Sequence, residues 1–163
     1  MPLPSDQLLR FKRNHFSTRL PRAYLYSRSH QWLREEESGL WTVGLTGFAT
    51  RMLGEIVELE LEAKTGNDVR VGEVIGWIEG FKAVSDLFAV VSGSFAGAND
   101  EALGDPECIC ADSYDGGWIY RVRGVPDSDA LAIDGYVEHL NGTIDKMLEK
   151  PWRGAPEGEG AGS

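Results

Sequence analysis

Few side chains in this sequence are suited to covalent or metal chemistry, and their spacing narrows the choices further. The three histidines, His15, His30 and His139, are scattered, with no HExxH and no second histidine at ligand spacing. No phosphate-cradling or dinucleotide-type glycine motif occurs, and Ser92 in Val91-Ser92-Gly93 lacks the setting of a nucleophile elbow. Cys108 and Cys110 are the only cysteines. In an extended segment their thiols share one face, but two soft ligands without a second pair do not complete a zinc site. Two readings stay open for them: small apolar packing groups, or a redox or sulfur contact. Lys82, one of only five lysines, lies between two β-runs in Glu79-Gly80-Phe81-Lys82-Ala83-Val84-Ser85-Asp86. At the tip of a tight hairpin its amine is reachable by another enzyme; acylation removes its charge and puts a reactive group on a long flexible lever. No self-sufficient catalytic machine is visible.

The elements that position this lysine read as mostly β. Leu40–Leu45 follows the turn-prone Glu37-Ser38-Gly39, and Val57–Glu62 alternates apolar and acidic residues, as a strand with one wet face requires. Val74–Ile78, Leu87–Val91 and Trp118–Val122 are further strand candidates, punctuated by glycines at hairpin spacing. Such a pattern predicts a sandwich or small barrel. A short helix is expected from a Thr46 cap to a Gly54 stop. A longer one is expected to open near Asp127 or Ser128, with an apolar stripe through Ile133, Tyr136, Val137, Leu140, Ile144, Met147 and Leu148 and a stop at Pro151. The stripe predicts a face packed on the β domain.

Composition bounds the rest. The 163 residues suit one domain, and 42% apolar residues with five Trp, six Phe and five Tyr supply a core. A net charge of −10 excludes general nucleic-acid binding, and no stretch is long and apolar enough to span a bilayer. Two cysteines make no disulfide framework, so a reducing, cytoplasmic setting is expected. Residues 1–22 carry a net +4 and read as a basic leader, either a transit peptide or a short helix packed on the domain. A β domain over 23–125, a packed helix over 126–150 and a flexible tail over 151–163 complete the expected organisation.

From about Tyr26 to Met147 the sequence resembles the H protein family of the glycine cleavage system. The resemblance is carried by Ser29-His30-Gln31-Trp32, Thr42–Thr46, Leu53-Gly54-Glu55-Ile56-Val57, the stretch Gly66–Gly93 around Lys82, Pro106-Glu107, and Tyr114 through Gly117-Trp118. It implies a mainly β barrel-sandwich hybrid with a short inner helix and a C-terminal amphipathic helix. It also implies a non-catalytic, monomeric carrier with lipoic acid in amide linkage on Lys82. Glu79, three residues before the lysine, and Gly66, sixteen before it, match positions that help a lipoate ligase or lipoyltransferase recognise the hairpin, and Gly72 matches as well. A biotin carrier uses a related hairpin, but its lysine is flanked by methionines where Phe81 and Ala83 stand here.

The sequence departs from that family where the cargo is held. Family members that carry aminomethyl groups have a glutamate at the position of Gln31, acting with groups matching Ser29 and Asp86. A neutral amide keeps a hydrogen bond to an ammonium but loses the charge-assisted part. Gly80-Phe81 and Ala89-Val90 also depart from the usual residues. In Gly80-Phe81-Lys82-Ala83, Gly117–Arg121 and Thr143–Met147 the chain is similar to lipoate-binding proteins of bacterial sulfur oxidation. On that resemblance the expectation leans to a sulfur cargo exchanged with a heterodisulfide-reductase-like complex and sulfur transferases, with Cys108 and Cys110 nearby. The alternative is the aminomethyl cargo of the glycine cleavage P, T and L proteins.

Overall fold

The computed structural model describes residues 4–149. After a 3-10 turn at Ser5–Gln7 come β1 (Leu8–Arg13), β2 (Phe16–Pro21), β3 (Leu25–Tyr26), β4 (Gln31–Glu37), β5 (Leu40–Leu45), α1 (Gly47–Leu53) and β6 (Ile56–Leu61). There follow β7 (Asp68–Val69), β8 (Val74–Gly80), β9 (Val84–Phe88), β10 (Val91–Ala98), α2 (Asp100–Gly104), α3 (Glu107–Ala111), β11 (Tyr120–Pro126) and α4 (Ile133–Glu149). A six-stranded sheet, in the order β3-β4-β5-β11-β10-β7, faces a three-stranded one, β6-β8-β9, and all their pairings are antiparallel. The main core lies between them and includes Val43, Leu59, Ile78, Leu87, Phe95 and Tyr120. The expected mainly β architecture with a short inner helix and a C-terminal helix is the one the chain adopts.

Several local readings change in the three-dimensional context. The leader forms not a helix but the hairpin β1-β2, which turns at Asn14 with φ +56°. Its Phe11 and Leu20 join Tyr26, Trp32, Phe48 and Tyr136 in a second core, and Arg13 pairs with Asp145 of α4. In β6 a bulge between Ile56 and Glu58 breaks the alternation, so Ile56 turns inward and Val57 is left exposed. The apolar run Leu87–Val91 is not one strand: β9 ends at Phe88 and β10 starts at Val91. Asp127 closes a turn by accepting from Asp129 N–H at 2.9 Å, and α4 opens only at Ile133. The 151–163 tail lies outside the described residues.

Candidate functional site

Strands β8 and β9 form a hairpin whose register pairs Glu79 with Val84, leaving Phe81, Lys82 and Ala83 at its tip. Gly80 N–H donates to Ala83 O at 2.9 Å and closes the turn. Lys82 is exposed, but the tip does not stand free. Lys82 N–H donates to Leu53 O at 2.9 Å and Phe81 N–H to Glu55 O at 3.0 Å. Lys82 Nζ donates to Arg51 O at 3.3 Å. The tip therefore caps carbonyls at the end of α1 that a helix leaves unsatisfied, and the ammonium rests at the negative end of that helix. Thr46 starts the helix by accepting from Ala49 N–H, and Gly54, at φ +80°, stops it where a Cβ would approach Lys82 Cγ to 3.0 Å. Gly80 permits the close approach: a Cβ there would lie 2.2 Å from Leu53 O. The sequence marked Gly80 as hairpin punctuation and as a departure; the contact that requires it joins elements far apart in the chain.

Beside the tip lies a cleft of about 310 Å³, lined on its polar side by Ser29, Gln31, Ser85 and Asp86 and on its apolar side by Phe48, Met52, Leu53 and Phe88. The fold thus brings the three residues expected in the arm cleft together. Ser29 and Asp86 are exposed, whereas Gln31 is only 3% exposed and committed at both ends. Its Nε2 donates to Phe88 O at 3.0 Å, and its Oε1 accepts from the Tyr120 hydroxyl at 3.4 Å. Gln31 here ties β4 to the end of β9. Glu79 projects beside Glu58 of β6, on the wet face that also carries Glu60.

Gly66 and Gly72 do not approach the lysine. Both have φ near +90° and open space where a Cβ would point. Gly72 precedes the start of β8, and β8 alone rises roughly 20 Å between there and the tip. The cysteines lie on α3, not on an extended segment. Two residues apart on a helix, side chains diverge by roughly 200°. Cys108 packs against the core, and burial together with Glu101, Asp105 and Asp112 pushes its thiol up, away from the thiolate form. Cys110 is exposed and lines a groove with Lys82. No group of side chains that could hold a metal occurs among the described residues, and none of their helices is long and apolar enough to cross a membrane.

One cluster was invisible in the sequence. His30 and His139, far apart in the chain, stack with ring centroids 5.2 Å apart. His30 Nδ1 lies 2.8 Å from the Tyr136 hydroxyl, which donates to Thr46 Oγ1 at 3.0 Å. Burial, and then His139, hold the His30 imidazole down at about 4. Between about 4 and the ordinary 6.5 the unfolded chain binds a proton that the folded chain refuses. Stability is therefore full above that window and falls as pH drops through it, by up to about 3 kcal/mol from this group. Denaturant midpoints measured across the window in the wild type and in His30→Gln check this: the variant loses that part of the slope.

The family model for the glycine cleavage H-protein matches residues 24–141, which covers the hairpin, the cleft and the first half of α4. The chain belongs to that family. It is 37% identical to the glycine cleavage system H protein of Streptomyces avermitilis over 72% of this chain and 94% of the relative. It is 39% identical to that of Listeria innocua over 75% and 98%. The crystal structure of the Mycobacterium marinum H protein superposes with a TM-score of 0.68 at 33% identity, covering 76% of this chain and 99% of that one. As an H-protein family member the chain is a non-catalytic carrier. Each of these relatives bears the glycine cleavage name, and none of them carries the sulfur-oxidation name toward which the sequence reading leaned.

Proposed function

We propose that this chain is a cytoplasmic lipoyl carrier with the cofactor in amide linkage on Lys82, working as the H protein of glycine cleavage with the P, T and L proteins. One observation carries the reading: an exposed lysine, backed onto the end of α1, opens beside a cleft whose aliphatic and aromatic wall suits a hydrocarbon arm. When bound, the lipoyl group supplies a disulfide that is reduced as it takes up cargo. The protein's part is to tether and shelter it. The tip fixes the root of the arm, so encounters with partner sites occur at high effective concentration. Met52, Phe48 and Phe88 give the arm an apolar wall to lie against, while Asp86 and Ser29 offer a carboxylate and a hydroxyl to an ammonium-bearing cargo. The exposed Glu58 and Glu60, with Glu79 alongside, present an acidic face for basic partners, and Glu79, Gly66 and Gly72 remain the positions by which a lipoate ligase or lipoyltransferase would recognise the hairpin. Reconstitution tests the cargo: with active P and T proteins the lipoylated chain should support glycine-dependent release of carbon dioxide, and no turnover would overturn the glycine cleavage reading.

Gln31 favours the second reading, a sulfur cargo exchanged with a heterodisulfide-reductase-like complex, because both ends of its amide are occupied by the protein. Gln31→Glu discriminates. At neutral pH a carboxylate there faces Phe88 O without a proton and should cost about 1–3 kcal/mol. That cost should shrink as acid protonates it. If the variant gains aminomethyl retention with no loss of stability, position 31 serves the cargo rather than the scaffold.

A further inference from the structure

A second groove, of about 490 Å³, is lined by Lys82, Cys110, Arg51, Glu55, Thr18 and Tyr114, among others. It places an amine and a thiol, from elements distant in the chain, on the wall of one groove. Both are anchored on adjacent residues of one turn: Lys82 N–H donates to Leu53 O at 2.9 Å, and Cys110 Sγ lies 4.0 Å from Gly54 O. Both side chains are exposed. The flexible lysine stem lets Nζ leave Arg51 O and sweep the groove.

We infer that Cys110 relays acyl groups from acyl thioesters to Lys82, giving the carrier a self-acylating activity besides enzymatic loading. The Cys110 sulfur attacks the thioester carbonyl; a new carbon–sulfur bond forms, and the original thiol leaves with the proton that Cys110 gave up. The Lys82 amine, in its neutral form, then attacks the same carbonyl. The carbon–nitrogen bond forms, the bond to Cys110 breaks, and the amine's proton returns the cysteine to a thiol. Nothing is oxidised or reduced, and the exchange of thioester for amide runs downhill. The groove contributes proximity, turning the second step into an intramolecular transfer. Cys108 takes no part, being turned to the core.

The inference deepens the carrier reading, and its test separates the two. The full, unmodified chain is incubated with an acyl thioester of N-acetylcysteamine, and acylation of Lys82 is followed by peptide mass mapping. Rates are normalised to labelling of the same amine by an N-hydroxysuccinimide ester, so that altered accessibility of the amine cancels. Cys110→Ser should slow transfer to Lys82 about tenfold or more, and Cys108→Ser should leave it unchanged. In Lys82→Arg a hydroxylamine-labile adduct should accumulate on Cys110. A wild-type rate in Cys110→Ser, or no labile adduct in Lys82→Arg, overturns the relay. A chain left bare by a competent lipoate ligase overturns the carrier reading instead, whatever the thioester does.

Discussion

If Lys82 is the attachment site, Lys82→Arg should abolish lipoylation while leaving the fold intact. Arginine keeps a positive charge at the end of α1, where Nζ donates to Arg51 O. As an exposed substitution it should change stability by no more than about 0.5 kcal/mol. A guanidinium does not form the amide, so intact mass after treatment with a lipoate ligase should show no adduct, and coupled turnover with the P, T and L proteins should fall to background. Lys64→Arg, an exposed lysine in the loop after β6, should be lipoylated as the wild type is. A full adduct on Lys82→Arg would refute the attachment site.

Gly80→Ala should carry a large cost in stability. The added Cβ would lie 2.2 Å from Leu53 O and 2.8 Å from Leu53 C, both backbone atoms of α1 that no rotamer change can move aside. The tip must lift, and the hydrogen bonds from Lys82 N to Leu53 O and from Phe81 N to Glu55 O go with it. Overpacking and these losses together amount to about 2–4 kcal/mol. The denaturant midpoint should shift accordingly, and lipoylation should slow because the lysine loses its fixed root. Gly66→Ala provides the contrast: φ is +93° but nothing lies within 4 Å, so only backbone strain of about 1–2 kcal/mol is expected. If the two variants unfold at the same midpoint, the tip is not braced by α1 as described.

Where the sequence could be read correctly, the signals were local. Thr46 and Gly54 bracket α1 because a cap and a left-handed stop act within a few residues. Alternation sufficed for Leu59 and Leu61, but the bulge that exposes Val57 arises from pairing with β8. The leader shows the same limit. Leu8, Leu9, Phe11 and Phe16 satisfy a helical stripe as well as a hairpin, and burial of Phe11 and Leu20 beside α4 selects the hairpin. Cys108 and Cys110 share a face only if extended, and the helical turn that separates them closes through Ile109 N–H to Pro106 O and Asp112 N–H to Cys108 O.

An exposed lysine at a hairpin tip and the mainly β class were legible from residue type and spacing, because turn chemistry and strand alternation are short-range. The reading of Lys82 as the attachment residue and of Glu79 as its recognition neighbour came from the family resemblance. Tertiary contact decided the rest. It braces Lys82 against α1 across Gly80, commits Gln31 to Phe88 and Tyr120, stacks His30 on His139, and sets Cys110 in the same groove as the amine. Each of these joins groups remote in the chain, whose meeting depends on how two sheets and a helix pack, and no local pattern encodes that packing.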